Sequence, residues 1–309
     1  MSAAGAPTVV VGECMLELVC ARGQWRLGHA GDTFNTALYL TRLGLPAAYL
    51  TALGTDPFSA DMRAAWAAEG LDTSLVLTDP ARLPGLYAIR NDADGERHFY
   101  YWRERSAVRR LFHLPGVEAA LERARGAGRL YLSGITLSLF SPAERAELTA
   151  LAAAVRERGG LVIFDPNYRS AGWSGPGEAR AAIEALAPLV SLALPTLADE
   201  TALFGDTDPG RSAARWQHWG APEVVVKLGA AGCLVAAGGE HTSLPQQAVA
   251  AVDTTGAGDA FNAAYVAARA AGCTAQHSAQ VANRLAALVV QHPGAIVPRE
   301  LMPTLDALC

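Results

Sequence analysis

The sequence predicts an α/β protein built on a doubly wound, mostly parallel sheet with helices on both faces and a small additional β-sheet. From residue 129 onward, short apolar runs that fit buried strands alternate with helical patterns, as is typical of parallel sheets. An aromatic hairpin pattern at 85–103 interrupts that alternation and predicts the small sheet. The 309 residues, 51% of them hydrophobic, suffice for one large core, so we expect a single domain over 1–309.

Composition argues against several classes of function. The formal net charge of −5, without a basic run, argues against a nucleic-acid surface. The chain opens without a basic segment and long apolar stretch, and the alanine-rich run at 148–155 is too short to span a bilayer. We therefore expect a cytoplasmic protein without a membrane partner. Five scattered cysteines lack metal-binding spacing and are expected to be reduced thiols: Cys14, Cys20, Cys233, Cys273 and Cys309.

The start of the first predicted helix carries small and polar residues. Gly31 permits close backbone approach, while Asp32 and Asn35 place polar atoms at the helix start. Asp32 fits an N-cap as well as it fits a ligand. The surrounding patterns predict strands at 8–11, 12–19 and 47–53, one helix through Ala37, Leu40 and Leu43 to Gly44, and another at 59–69 ending at Gly70.

Two strand-like runs at 85–90 and 97–103 form the predicted aromatic hairpin. The polar link between them contains Asp94–Gly95, a strong hairpin signal. An aromatic hairpin exposed on both faces would be costly, so each face is expected to cover something, and one face is expected to form a dimer interface. Period-two alternation divides the residues between Phe99, Tyr101 and Arg103 on one face and Tyr100 and Trp102 on the other.

Polar residues follow the predicted strands of the second half, at the edge where open α/β sheets bind ligands. Asp165, Asn167 and Arg169 follow the strand at 161–164, and a surface salt bridge is the alternative for Arg169. Lys227 lies in the strand at 223–228, where a solvated lysine is an equal alternative to a ligand contact. The other predicted elements are strands at 130–135 and 192–195 and helices at 142–158 and 275–291.

The most informative segment is 253–261, which follows an apolar run at 248–252 and opens a helical pattern, so we expect a strand before it. Gly256, Ala257 and Gly258 lie where the helix begins, and their N–H groups form a cradle for an anion such as a phosphoryl group. Asp259 follows about one turn into the helix and fits a base that takes a proton from an attacking hydroxyl. The alternative for these four residues alone is a loop with an acidic residue that complements the helix dipole.

The full string at 253–261 resembles the carboxy-terminal signature of the ribokinase-like, phosphofructokinase-B-type carbohydrate kinases. Within that family, matching segments from residue 11 to about residue 303 are similar to the 2-keto-3-deoxygluconate kinases. The discriminating segments are 100–103 (Tyr-Tyr-Trp-Arg) and 167–169 (Asn-Tyr-Arg), because an acid substrate needs arginines for its carboxylate. The resemblance implies transfer of phosphate from ATP to the 6-hydroxyl of 2-keto-3-deoxygluconate, with Mg²⁺ and with K⁺ at a monovalent-cation site.

The resemblance also implies roles for individual residues. Asp259 would be the catalytic base, and the amides of Gly256, Ala257 and Gly258 would stabilise the transferring phosphoryl group. A lid made of about 13–30 and 85–104 would cover the sugar. Sugar-binding residues would be Gly31, Asp32, Asn35, Tyr87, Tyr101, Arg103 and Arg169. Nucleotide-binding residues would be Asn167, Thr196, Lys227, Gly229, Gly232, Gly256, Gly258 and Asn283, with Asp199 acting on Mg²⁺ through water, and Asp253 and Thr254 lining the monovalent-cation site.

The sequence departs from the family pattern at two places. Ala30 replaces the first glycine of the family's Gly-Gly-Asp motif, and Thr196 and Asp199 replace an Asn-x-x-Glu motif. Two alternatives remain open for function. One is a kinase of the same fold acting on 2-keto-3-deoxygalactonate, fructose or a related sugar, and the other is a non-catalytic sugar-acid sensor. We also expect a homo-oligomer, a dimer or higher, formed through the lid.

Overall fold

The protein is described by a computed structural model that covers residues 7–21, 23–91 and 97–309. The predicted Asp94–Gly95 turn lies outside these residues. In chain order the elements are β1 (Thr8–Val11), β2 (Met15–Ala21), β3 (Gln24–Ala30), α1 (Asp32–Arg42), β4 (Ala47–Leu53), α2 (Pro57–Ala68), β5 (Val76–Thr78), β6 (Leu86–Asn91), β7 (Arg97–Trp102), α3 (Val117–Arg125), β8 (Arg129–Ser133), α4 (Gly134–Ser138), α5 (Pro142–Glu157), β9 (Leu161–Asp165), α6 (Pro176–Leu186), β10 (Leu192–Ala193), α7 (Leu197–Phe204), α8 (Pro209–Trp219), β11 (Glu223–Lys227), β12 (Cys233–Ala237), β13 (Glu240–Leu244), α9 (Ala257–Ala270), α10 (Ala275–Val289) and α11 (Leu305–Leu308). Short 3-10 helices connect several of them.

Nine strands form the main sheet, in the order β13-β12-β11-β10-β9-β8-β1-β4-β5. The seven strands from β11 to β5 are parallel, and β12 and β13 add an antiparallel edge. After β1 the chain builds one side of the sheet through β4 and β5, and then the other side from β8 onward. The strand order therefore reverses between β1 and β8, which is where open α/β sheets bind ligands.

Helices cover both faces of this sheet, which confirms the predicted fold class. One core contains residues of α1, α2, α9 and α10 packed against Val10, Tyr49 and Tyr131 of the sheet. The opposite core contains residues of α3, α5, α6 and α8 packed against Val9, Leu130 and other alternate strand residues. Because both faces are buried, these strands are almost continuously apolar instead of alternating.

The smaller sheet has four strands in the order β3-β2-β6-β7. Strands β2 and β6 are parallel, and β3 and β7 pair antiparallel on the outside. One face carries Met15, Tyr87 and Ile89, which pack with Ala295. The hairpin prediction is confirmed in its strands and in its division into two faces.

The strands predicted at 12–19, 130–135 and 192–195 differ in extent from the observed β2, β8 and β10, and the strand expected at 248–252 is absent. The strand expected at 130–135 ends at Ser133, because the Ser133 hydroxyl accepts a hydrogen bond from Thr136 N at 3.1 Å and thereby begins α4. The apolar run at 248–252 is an irregular, mostly exposed segment and not a strand. Its Val252 N–H donates to Val290 O at the end of α10 at 2.7 Å, so the run is held by a helix end and not by a sheet.

Candidate active site

The carboxyl ends of β1, β8, β9 and β11 and the first turns of α1 and α9 meet at one edge of the main sheet. Here Asn35 Nδ2 donates to Asp259 Oδ2 at 2.8 Å, although the two residues lie 224 positions apart in the chain. The Asn35 amide also accepts a hydrogen bond from Gly31 N at 3.4 Å. The predicted sugar-binding segment and the predicted catalytic base are therefore in direct contact.

The start of α9 has the geometry of an anion site. Gly256 is the N-cap in the left-handed region, with φ 74°, and a Cβ there would lie 2.4 Å from Ala295 O. Only glycine fits both requirements. Ala257 N–H makes only a 3.4 Å hydrogen bond to Thr254 O, and Gly258 lies one residue further into the first turn. First-turn amides have no intrahelical acceptor and point toward the positive end of the dipole.

Asp259 occupies the third position of α9, partly open to the cleft and otherwise surrounded by protein. Burial is the main cause that raises the pKa of its carboxyl to about 8, and the charges of Asp32 and Asp165 raise it further. The hydrogen bond from Asn35 and the charge of Lys227 oppose that shift. A carboxyl group with a pKa near the working pH is suited to general base catalysis.

Asp32 lies on the other side of Asn35 and pairs with a third segment. Asn167 Nδ2 donates to Asp32 Oδ2 at 3.0 Å, and burial raises the pKa of the Asp32 carboxyl above its usual value. Asn167 itself adopts φ 30°, and its N–H donates to Asp165 Oδ1 at 3.1 Å. A non-glycine residue in this backbone region is strained, and such strain concentrates at functional sites. Asp32 does not act as a side-chain N-cap, because Gly31 holds that position.

Behind these residues lies a buried ion pair. Lys227 is 6% exposed, and its Nζ donates to Asp165 Oδ2 at 2.7 Å and to Asn262 Oδ1 at 3.1 Å. Asn262 completes the network by donating to Asp165 Oδ2 at 2.6 Å and to the Tyr131 hydroxyl at 2.9 Å. The alternative of a solvated Lys227 is therefore wrong. Its ammonium lies close to the first turn of α9, since a Cβ on Gly258 would be 3.7 Å from Nζ.

The base of the small sheet contributes an arginine with a buried partner. Arg103 Nη2 forms an ion pair with Glu13 Oε2 at 2.6 Å, and Glu13 is only 3% exposed. Arg103 Nε lies buried without a hydrogen-bond acceptor among the described residues. Gly85 leaves room for this pair, because a Cβ there would lie 2.9 Å from Glu13 Oε1. A buried charged donor without an acceptor is costly and indicates a position where a ligand supplies one.

Two tyrosines line the inner face of the small sheet next to this arginine. Tyr87 and Tyr101 are cross-strand partners, with ring centroids 5.9 Å apart, and the Tyr87 hydroxyl forms a short hydrogen bond with Glu17 Oε1. Glu13 connects this face to α1, because its carbonyl oxygen lies against Gly31, where a Cβ would be 2.2 Å away. The tyrosines, the arginine and the Asn35–Asp259 pair thus belong to one contiguous region.

Other predicted residues lie at its periphery. Arg169, 58% exposed, forms an ion pair with Asp199 at 3.1 Å, so the surface salt bridge considered as the alternative is present. Asp253 accepts hydrogen bonds from Thr255 N at 2.9 Å and from Gly294 N at 2.7 Å, which fixes the loop before α9. The remaining predicted nucleotide-binding residues lie at or near β11 and α10. Thr196 forms a parallel β-bridge with Lys227, Gly229 begins the 3-10 turn after β11 and Gly232 follows it, and Asn283 is a buried residue of α10.

Comparison with known proteins identifies the family. The profile of the pfkB family carbohydrate kinases matches residues 7–302. The chain belongs to this family. It is 42% identical over 304 residues to the 2-dehydro-3-deoxygluconokinase of Escherichia coli strain K12, which covers 95% of this chain and 98% of the relative. The enzyme of the same name from Dickeya dadantii strain 3937 is 41% identical, over 95% and 97% of the two chains. A solved Escherichia coli structure described as a ribokinase II in complex with ATP and Mg²⁺ superposes with a TM-score of 0.85 at 25% identity, over 98% of this chain and 97% of that one.

Several residues that shape this carbohydrate-kinase site are not evident from sequence. Glu13 and Glu17 lie in an apolar strand context, and their pairing with Arg103 and Tyr87 depends on the small sheet folding over the main one. Asn262 lies one residue beyond the signature and reads as part of a helix. The available signal is the presence of acidic residues just past the carboxyl end of β1, where ligand sites occur.

Proposed function

We propose that this kinase transfers the γ-phosphoryl group of ATP to the 6-hydroxyl of 2-keto-3-deoxygluconate, giving the 6-phosphate and ADP. The observation that carries the proposal is the position of Asp259 in the first turn of α9, in contact with Asn35 of the sugar-side segment. The relatives named 2-dehydro-3-deoxygluconokinase, 42% and 41% identical over 95% of the chain, support the choice of substrate.

In this proposal Asp259 takes the proton of the attacking hydroxyl. Its raised pKa makes it a stronger base than an exposed carboxylate, and the Asn35 hydrogen bond orients it. The amides of Gly256, Ala257 and Gly258 stabilise negative charge on the transferring phosphoryl group, because preorganised dipoles need no reorientation during the reaction. Lys227 donates to Asp165 and to Asn262 of α9, so this ion pair would help to hold the first turns of α9 in position.

The sugar acid would lie between α1 and the inner face of the small sheet. Asp32, Asn35 and the Gly31 backbone would contact its hydroxyl groups. The buried, acceptor-free Nε of Arg103 would donate to the carboxylate, while Glu13 holds the guanidinium in place. Tyr87 and Tyr101 would cover the sugar. Arg169 would break its ion pair with Asp199 and bind the substrate from the edge of the site. The small sheet, about 13–30 and 85–104, would then act as the lid.

The nucleotide would lie on the other side of α9, along the carboxyl ends of β9 to β11. The residues proposed to contact it are Asn167, Thr196, Lys227, Gly229, Gly232 and Asn283, together with the amides of Gly256 and Gly258. Asp199, 17% exposed beside Arg169, is the carboxylate with solvent access, whereas Asp165 is occupied by Lys227 and Asn262. The donor set thus fits Mg²⁺ held largely through water. When bound, Mg²⁺ neutralises charge on the nucleotide phosphates.

Asp253 and Thr254 would shape a K⁺ site in the loop before α9. The Asp253 carboxylate accepts one hydrogen bond from Thr255 N within this loop and another from Gly294 N, so its contribution to cation binding would be to hold the loop in shape. A dependence of activity on K⁺ over Na⁺ would support the assignment.

The outer face of the small sheet supports a homodimer. Leu18, Leu27 and Tyr100 share this face by cross-strand register, and Trp25 and Trp102 extend it along β3 and β7. Leu27, Tyr100, Trp25 and Trp102 are each more than half exposed. An apolar patch of this kind on a soluble protein marks an interface. Light scattering should therefore give twice the mass of the 32.3 kDa chain.

Among the described residues, no helix combines the length and hydropathy needed to cross a membrane.

A coupled ADP-release assay tests the proposed substrate. It compares 2-keto-3-deoxygluconate with 2-keto-3-deoxygalactonate, gluconate, fructose and ribose in the presence of ATP and Mg²⁺. Turnover confined to the keto-deoxy acids supports the proposal and leaves the preference between C4 epimers to the same assay. Turnover on fructose or ribose alone would refute the acid-binding role of Arg103, and no turnover on any substrate would favour the sensor.

A further inference from the structure

Two thiols and one imidazole converge at the far end of α9 and α10. Cys273 lies between these helices, His277 lies in the first turn of α10, and Cys309 follows α11. Their ligand atoms, two Sγ atoms and one imidazole nitrogen, all lie within 4.8 Å of one another. Helix α9 separates this cluster from Asp259 by about 17 Å along its axis, so the cluster is not part of the proposed active site.

We propose that Cys273, His277 and Cys309 hold a divalent, thiophilic metal ion of the zinc class. Tetrahedral zinc places sulfur ligands about 2.3 Å and imidazole nitrogen about 2.0 Å from the metal, so neighbouring ligand atoms lie roughly 3.6–3.8 Å apart. Separations of up to 4.8 Å need to close by only about 1 Å. The exposed Cys309 side chain can make that adjustment by rotation. Thiolate and imidazole are the ligands that zinc prefers, and the fourth position would belong to water.

Hydrogen bonds hold the backbone of all three residues in place. The Cys273 N–H donates to Ala268 O at 3.1 Å, and Arg269 Nη1 donates to Cys273 O at 2.5 Å. The His277 N–H donates to Thr274 Oγ1 at 3.2 Å. The Cys309 N–H donates to Leu305 O at 3.0 Å, and Arg284 Nη1 donates to Cys309 O at 3.1 Å. Binding of a metal would therefore cost these three residues little backbone conformational entropy.

The charge environment is compatible with a cation. The guanidinium of Arg269 is neutralised by Glu223, with Nε–Oε1 and Nη2–Oε2 distances of 2.9 Å each. Arg284 is directed at the carbonyl oxygens of Leu308 and Cys309. Binding of the metal would displace the thiol protons of Cys273 and Cys309. Such a site would join α11, whose Leu308 is buried in the core, to the turn between α9 and α10.

Metal content of the full-length protein tests this site. Reduced protein is stripped with a chelator, equilibrated with zinc, passed through a desalting column and assayed by elemental mass spectrometry. We expect about one zinc per chain, and the Co²⁺-loaded protein should show thiolate-to-metal charge-transfer absorption. Cys273→Ser and His277→Ala should each lower zinc affinity at least ~10-fold without changing kinase turnover. The controls Cys20→Ser and His241→Ala alter a thiol and an imidazole outside the cluster and should bind zinc as wild type does.

Three results would overturn the proposal. Reduced protein without stoichiometric zinc would exclude the site, and undiminished binding by the cluster variants would place the metal elsewhere. A Cys273–Cys309 disulfide in peptide maps of freshly purified protein, together with absence of zinc, would assign the thiols to redox chemistry. If Cys273→Ser or His277→Ala does not fold by circular dichroism, Cys309→Ser, at an exposed position, supplies the same comparison.

Discussion

The substitution Asp259→Asn removes the charge of the proposed base and keeps the shape of its side chain. The asparagine side chain has the same size, and its oxygen can still accept the 2.8 Å hydrogen bond from Asn35 Nδ2. Burial, followed by the charge of Asp32, raises the pKa of the wild-type carboxyl to about 8 from an ordinary value of 3.8. At pH above 8 the folded wild type must hold this ionised group, and the difference between the two pKa values corresponds to about 6 kcal/mol of unfolding free energy.

Two features of the site reduce that figure. Asp259 is partly open to the cleft, and part of the shift comes from the charge of Asp32, so we expect Asp259→Asn to gain ~2–4 kcal/mol at about pH 9. Because the pKa of Asp259 is raised in the folded state, its contribution to the stability of the wild type is fully present below about pH 4 and is lost as the pH rises through about 8. The variant should therefore match wild type near pH 4 and exceed it at alkaline pH.

Guanidinium unfolding at both pH values measures this difference. Asp61→Asn removes an exposed carboxylate from α2 and serves as the control, with no expected gain.

The same Asp259→Asn protein should lose ~10²–10⁴-fold in kcat while KM for the sugar stays within a few-fold of wild type. Wild-type kcat/KM should rise with pH toward about 8, and Asp32→Asn should move that rise to lower pH because it removes a negative charge. Equal stability at alkaline pH, or near-wild-type turnover, would refute the assignment of Asp259.

Three further predictions concern the surroundings of the site. Arg103→Met leaves Glu13 buried without its partner, so urea unfolding should show a loss of ~3–5 kcal/mol that Glu13→Gln in the same chain largely restores. The single variant should also raise KM for 2-keto-3-deoxygluconate and leave KM for ATP near the wild-type value, because Arg103 lies on the sugar side of the site. Gly256 has φ 74°, and a Cβ there would clash with Ala295 O. Gly256→Ala should therefore lower turnover and reduce the free energy of unfolding by ~1–3 kcal/mol or more. Gly272→Ala, at φ 91° in open space, is its control and should keep turnover. Trp102→Ser should shift the light-scattering mass from dimer to monomer, and an unchanged mass would exclude the outer face of the small sheet as the interface.

Much of the fold could be predicted because the spacing of apolar residues indicates where strands and helices lie. Buried parallel strands are short apolar runs, and helices such as α5 begin with a capping box, here Ser141 with Glu144, that is visible in sequence. Two of the errors arose where an apolar run either contained a polar residue that starts a helix or had no neighbouring strand to pair with. Ser133 begins a helix inside an apolar run, and 248–252 has no strand beside it.

The site was predictable only in part. The signature at 253–261 identified the start of α9, because glycines and an acidic residue at a helix start have a chemical meaning in sequence. Contacts between distant segments, such as Asn35 with Asp259, depend on strand order, and only the family resemblance assigned these two residues to one site. The burial of Lys227 and Glu13, and the cluster of Cys273, His277 and Cys309, could not be foreseen, because sequence spacing does not show which side chains converge.

Phosphorus–proton correlation spectroscopy of the product tests the central claim most directly. Protein is incubated with ATP, Mg²⁺ and 2-keto-3-deoxygluconate, and the new phosphate ester is assigned by its coupling to sugar protons. We predict coupling to the two protons on C6, with ADP formed in equal amount, in wild type and not in Asp259→Asn. A phosphate on another carbon, or ADP formation without a phosphorylated sugar acid, would contradict the account.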